Sequence, residues 1–217
     1  VFMNTQISTA TAALAWVAVE QFRDGRPTTL GVASGAVAGA VAITPACGYV
    51  NPMGAMLIGL LGGAICSLAV GLKYRFGYDD SLDVVGVHGV GGLVGMISIG
   101  LVATTTANAA GGDGLLMGGG FGLLGKQLVA SSVTLVYAFV VTGVLAFLVE
   151  KTVGLRVSTD DERAGLDVTQ QAESAYEFAG APGGGFAGTG HHGVAGPKYV
   201  SYKKMTAPES DTMEVSG

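Results

Sequence analysis

Charged residues leave long gaps along this chain, and the gaps define its elements. Residues 1–19 hold no Asp, Glu, Lys or Arg, and neither do Pro27–Leu72, Val84–Gly112 or Gln127–Val149. The second run is far longer than the roughly 20 residues that one helix needs to cross a hydrocarbon layer. Its middle reads Gly48-Tyr49-Val50-Asn51-Pro52, a turn signature that divides it in two. The pattern predicts an all-α integral membrane chain with five transmembrane helices, at about 2–22, 30–50, 53–72, 84–104 and 126–149.

Small residues recur at intervals of four inside these spans: Gly31, Gly35 and Gly39; Gly59, Gly63, Ser67 and Gly71; Gly91 and Gly95. Between lipid-embedded helices there is no hydrophobic drive, so association must come from close packing over such faces. A tightly packed polytopic bundle is therefore expected, rather than separate anchors.

Composition agrees. The 217 residues are 49% hydrophobic and only 12% charged, with a mean hydropathy of +0.52, about half the charge fraction of a soluble domain. The 37 glycines lack the three-residue period of collagen. Cys47 and Cys66 both sit in apolar sequence and read as small buried hydrophobes, not a disulfide framework. The formal charge of −5 says little about partners, because the charges do not share one surface.

Lys and Arg orient the bundle. Arg23 and Arg26 follow the first span, Lys73 and Arg75 the third, and Lys151, Arg156 and Arg163 the fifth, whereas Lys126 stands alone on the other side. The positive-inside rule puts the basic loops and the tail in the cytoplasm and residue 1 outside. No basic region precedes the first apolar stretch, so it is not a cleavable leader. The chain opens within hydrophobic sequence, which reads as a cut end with earlier spans missing.

His88 is the one histidine inside a span, in the run GVHGVGGLVG. An ionisable group at membrane depth is costly and faces a cavity or the bundle interior. Its imidazole suits relaying a proton or holding a small polar solute; the alternative is a hydrogen bond to a neighbouring helix that serves packing. Val84, four residues earlier, shares its face. Asp83 starts the same span and reads as its helix cap, with ion binding as the other reading. Thr44 precedes Pro45, which must kink or end the second helix; its hydroxyl either serves a permeant or bonds its own backbone. Trp16 reads as an interfacial aromatic.

In the tail, Ser158-Thr159-Asp160-Asp161-Glu162 is a helix start, Gly165 a stop, and Asp167-Val168-Thr169-Gln170 a capping box opening a second helix to about Glu177. Residues 180–196 are glycine-rich and expected to be disordered. His191-His192 lacks the further ligands that a metal site needs, and Lys203-Lys204 is a weak lipid signal. The chain thus divides into a transmembrane bundle (1–150), an ordered tail (151–178) and a disordered tail (179–217). No nucleophile–base pair, phosphate loop or metal set points to an enzyme, and no cofactor or nucleic-acid partner is expected.

Several stretches resemble the ammonium transporter (Amt/MEP/Rh) family: NTQISTATAALAW, GVASGAVAGAVAITPACGYV, YDDSLDVVGVHGVGG and VGLRVSTDDERAGLDVTQQAESAY. The resemblance covers about residues 1–178. It implies an eleven-helix protomer with two inverted five-helix halves, assembled as a homotrimer in the plasma membrane, of which this chain supplies spans seven to eleven and the cytoplasmic tail. It implies a narrow hydrophobic pore in each protomer, bridged by two histidines of which His88 matches the second. Thr44 matches a threonine near the lumen, and Asp83 and Val84 match neighbours in the segment of His88, Val84 as a pore residue and Asp83 as a structural one. The mechanism that the resemblance implies recruits ammonium, or methylammonium as an analogue, outside and deprotonates it, so that ammonia crosses while the proton follows the histidines. Gly165, Leu166, Asp167 and Tyr176 match the regulatory tail, which meets a PII-type signalling protein. Gln171 departs from the histidine of many relatives. An ammonium sensor acting through its tail, or an Rh-like gas channel, are the alternatives.

Overall fold

The computed structural model describes residues 1–171, and every regular element among them is helical. The chain forms two compact units, Val1–Thr152 and the remainder from Val153. In the first, α1 (Phe2–Asp24), α2 (Thr29–Ile43) and α3 (Pro52–Ala69) pack closely on one another. A short α4 (Leu72–Phe76) leads to a π turn (Val85–Gly89) that runs directly into α5 (Val90–Val102). After a loop, α6 (Phe121–Thr152) packs on α5.

Among the described residues, three stretches are long and apolar enough to cross a membrane: Pro52–Phe76, Val85–Val102 and Phe121–Thr152. The segment expected at 30–50 is helical only to Ile43. Beyond it the chain turns on itself through Ala46 N–H to Ile43 O and Tyr49 N–H to Ala46 O, because Pro45 offers no donor to continue the ladder. Asn51 then caps α3, its Oδ1 accepting from Gly54 N–H at 2.9 Å, with Pro52 in the first turn.

The small-residue faces are where the helices touch. A Cβ on Gly39 would lie 2.9 Å from Thr9 Cα, and one on Gly63 2.7 Å from Ala12 Cα, so α1 is clasped from both sides by glycines of α2 and α3. Ser8 Oγ, fully buried, donates to Gly39 O at 2.9 Å across the α1–α2 contact. The core is accordingly built from small side chains such as Ala42, Ala46, Ala55 and Ala103, with Ile43 and Ile58 filling between them.

Trp16 differs from the interfacial placement expected of it. It is 4% exposed, and its Nε1 donates to Glu20 Oε1 at 3.0 Å. Glu20 is buried too, and its carboxylate also accepts from the Thr28 N–H at 2.8 Å and the Thr28 hydroxyl. An acceptor one turn along α1 lets the indole stay inside.

In the second unit Ser158 caps α7 (Thr159–Ala164), its Oγ accepting from Asp161 N–H at 3.1 Å. Gly165, at φ 106°, ends it. α8 (Leu166–Gln171) begins one residue ahead of the expected capping box: Gly165 O accepts from Thr169 N–H, and Asp167 lies within the first turn instead of capping it. The expected continuation to Glu177, Tyr176, the stretch at 179–217, His191-His192 and Lys203-Lys204 lie outside the described residues.

Candidate functional site

The site is built on the π turn. In it the i→i+5 pattern places one more residue than an α turn would, a feature found often at functional positions. Gly86 makes this possible on the buried side, because a Cβ there would fall 2.9 Å from Val70 Cα. The Cys66 thiol, wholly buried on α3, approaches Val87 O at 3.8 Å. With Gly86 and Val87 turned inward, Val84, Val85, His88 and Gly89 are left exposed. This stripe continues along α5 as Gly92, Leu93 and Met96.

His88 makes no hydrogen bond to another described residue. Val84, half exposed at 50%, shares its open face. Beside them lies a groove of about 520 Å³ lined by Gly89, Gly92, Leu93 and Met96, by Val41, Thr44 and Pro45 of the α2 end, and by Ser131, Thr134, Leu135 and Ala138 of α6. Its wall is almost entirely apolar. Thr44 lines it while its hydroxyl donates to Ala40 O at 2.6 Å, so the backbone bond is present, and both lone pairs of the hydroxyl oxygen remain able to accept. Ser131 is tied in the same way, to Gln127 O at 2.7 Å.

Asp83 is not the helix cap. The carboxylate that accepts from the first amides is that of Asp80, at 2.7 Å from Val84 N and 2.9 Å from Val85 N. Asp83 instead adopts a left-handed backbone, φ 56°, as the only non-glycine to do so among the described residues. Its carboxylate meets Lys73 Nζ at 2.6 Å. The structure therefore brings Thr44 into the groove, whereas Val84 and His88 do not line it and lie on the same helix stripe as its lining residues Gly89, Gly92 and Met96. Asp83 stands behind them, and Gly165, Leu166 and Asp167 lie in the other unit.

Known proteins resemble this chain closely. The Ammonium Transporter Family profile matches residues 1–176. The chain belongs to the ammonium transporter family. An ammonium transporter of Mycobacterium tuberculosis is 50% identical over 187 residues, which are 84% of this chain and 39% of that protein. One from Bacillus subtilis is 46% identical over 177 residues, 81% of this chain and 44% of the relative. Among solved structures, Saccharomyces cerevisiae Mep2 superposes with a TM-score of 0.66 at 36% identity, over 73% of this chain and 37% of that one. The chain thus spans less than half the length of these relatives, and it is an integral membrane protein whose described regular elements are all helical.

Sequence reasoning missed two contributors to the site, Asp80 and the π turn, and one to the packing of the bundle, Asn4. Asp80 carried a usable signal, an Asp four residues ahead of the first helical amide. Asn4, whose Nδ2 donates to Cys47 O at 2.9 Å and Val50 O at 2.8 Å, was hidden because a lone Asn in an apolar span reads equally well as a helix-packing residue. The π turn left no signal: glycines at 86 and 89 fit an α-helix too.

Proposed function

We propose that this chain forms one wall of a pore that carries ammonium, as ammonia plus a separately routed proton, across the cell membrane for nitrogen uptake. The observation that carries this reading is an imidazole without a hydrogen-bond partner on the open stripe of a membrane-spanning helix whose next residues line an apolar groove, in a member of the ammonium transporter family. A bare cation in such a groove costs at least several kcal/mol. An apolar wall favours ammonia, and His88 gives the displaced proton a place to reside, with Val84 and Thr44 shaping the passage and Asp83 supporting it from behind. Because the chain spans 39% of the length of its mycobacterial relative, the wall is read as part of a larger pore within a homotrimer. Five spans are assigned to residues 1–150 and a regulatory tail to 151–178. The amino end lies outside, and Arg23, Arg26, Lys73 and Arg75 face the cytoplasm with the tail. Gly165, Leu166 and Asp167 form the described part of a surface for a PII-type protein.

The test is uptake of methylammonium by a transport-competent protein containing this chain. His88→Ala is expected to change uptake rate or ion selectivity while the protein still reaches the membrane. Unchanged rate and selectivity would remove His88 from the pore. A sensor role is the second reading, favoured by a neighbour named Sensor Amt Protein, which superposes with a TM-score of 0.68 at 26% identity; silent uptake with a tail-dependent partner would select it.

A further inference from the structure

We infer that Lys73 is a positioning residue for His88: it locks the register of the π turn that presents the imidazole. This rests on the reading of His88 as a pore residue. Lys73 does not touch the groove. Its Nζ donates to Asp83 Oδ1 at 2.6 Å and to Asp80 O at 2.9 Å, so one ammonium holds both residues that set the entry to the turn. Asp80 is thereby placed with its carboxylate on the Val84 and Val85 amides. Asp83 is held in a left-handed conformation that an L residue with a Cβ disfavours; its carbonyl accepts from Val87 N–H at 2.8 Å. Both partners are largely shielded, Lys73 at 15% and Asp83 at 31% side-chain exposure, so this pair is less screened than a surface bridge.

The same segment grips the turn from a second side. Val70, three residues before Lys73, packs directly on Gly86. Val70–Lys73 therefore fixes the buried face of the π turn and its first amides together. A π turn carries one residue more than an α turn. If Asp83 is free to enter the right-handed helical region, the extra residue can be expelled toward the loop, and the residues ahead of α5 then rotate by roughly 100°, the angular step of one α-helical residue. Val84 and His88 would leave the open stripe.

The test uses Lys73→Met, Lys73→Arg and Asp83→Gly, with Arg75→Gln as a control on an exposed cation of the same helix. Hydrogen exchange on the full chain in bilayers is expected to show the Val84–Gly89 amides exchanging roughly tenfold faster in Lys73→Met, with α1 and α3 unchanged, since local opening is read amide by amide. Lys73→Arg should restore protection. Asp83→Gly, which keeps the backbone conformation at no steric cost but loses the carboxylate, should fall between. In a transport-competent protein containing this chain, Lys73→Met should lower the maximal methylammonium rate about tenfold with KM little changed, as small misplacements of a working group do. Lys73→Arg and Arg75→Gln should match the parent. Unaltered exchange in Lys73→Met overturns the lock. Faster exchange with full transport, while His88→Ala still impairs transport, overturns the positioning role and spares the pore reading. If His88→Ala is itself silent, the pore reading falls and the positioning role with it, whatever the exchange shows.

Discussion

Replacing Gly95 with alanine drives a methyl group into the end of α2. The added Cβ would collide with Ala42 O and stand 3.0 Å from Ala42 C and 2.9 Å from Pro45 Cγ, where ordinary contact begins at 3.4 Å. Relieving Pro45 alone requires α5 and α2 to part by about 0.5 Å, and relieving the carbonyl requires more; a gap of 0.5–1 Å forfeits about a quarter to a half of each dispersion contact across it. Overpacking of this kind costs about 1–3 kcal/mol, and the better helix propensity of alanine returns at most about 1 kcal/mol. With the full return of about 1 kcal/mol, the net destabilisation is about 0–2 kcal/mol, and the backbone collision with Ala42 O places it toward the upper end.

Gly92 supplies the control. It lies one turn away on the same helix, yet a Cβ there meets nothing within 4 Å, because it faces the groove. Gly92→Ala should be as stable as the parent or slightly more so, while narrowing the passage and slowing methylammonium uptake. Unfolding of the full chain in bicelles, followed by helical circular dichroism, measures the first effect, and uptake by a transport-competent protein containing the chain measures the second. Equal stability of Gly95→Ala and Gly92→Ala would refute the packing argument. Full uptake in Gly92→Ala would refute the groove as a passage.

Two further outcomes follow from single contacts. Asn4 acts only as a donor, for its Oδ1 has no partner; Asn4→Asp and Asn4→Leu should therefore both destabilise the bundle, by about 1–3 kcal/mol for the buried carbonyls left unpaired, and wild-type stability of Asn4→Asp in the same unfolding assay would contradict this. In the α5–α6 loop the Thr105 N–H, donating at 2.7 Å, holds the Asp113 carboxyl below its ordinary 3.8. Because the folded value is depressed, this contact is intact above the usual carboxylate range and is lost as pH falls through the lower folded value. The Thr105 amide resonance should titrate with a midpoint under 3.8, and Asp113→Asn should abolish that titration; a midpoint at or above the ordinary value rejects the contact.

The helical class and the packing faces were legible because lipid leaves few ways to build a bundle. Backbone groups must be satisfied within each segment, so charge-free runs become helices; close approach is the main attraction, so glycines at intervals of four mark the contacts. Gly39 and Gly63 meet α1, and Gly95 meets α2, on that logic. A Cβ on Gly71, written into the same pattern as Gly63, would meet only Leu68 O in the last turn of α3 and no other helix, because α3 has already ended at Ala69. The interval identifies a face, and only the length of the helix decides how far that face extends.

Sequence could name candidate residues for the site but not their geometry, and the reason is distance along the chain. His88 and Val84 could be placed on one face by local spacing alone. What turns that face outward comes from elsewhere: Val70 against Gly86, Cys66 against Val87 and Lys73 on Asp83. The exchange of roles between Asp80 and Asp83 has the same origin. Either carboxylate is close enough in sequence to cap the helix, so local rules favour the nearer one. Lys73 reverses that preference by engaging the nearer carboxylate, which leaves the farther one to take the amides. A cap assigned from sequence is thus secure only when no cation from another element competes for it. Here the competitor, Lys73, also holds Asp80 O, so one cation from α4 contacts both residues at the entry to the π turn.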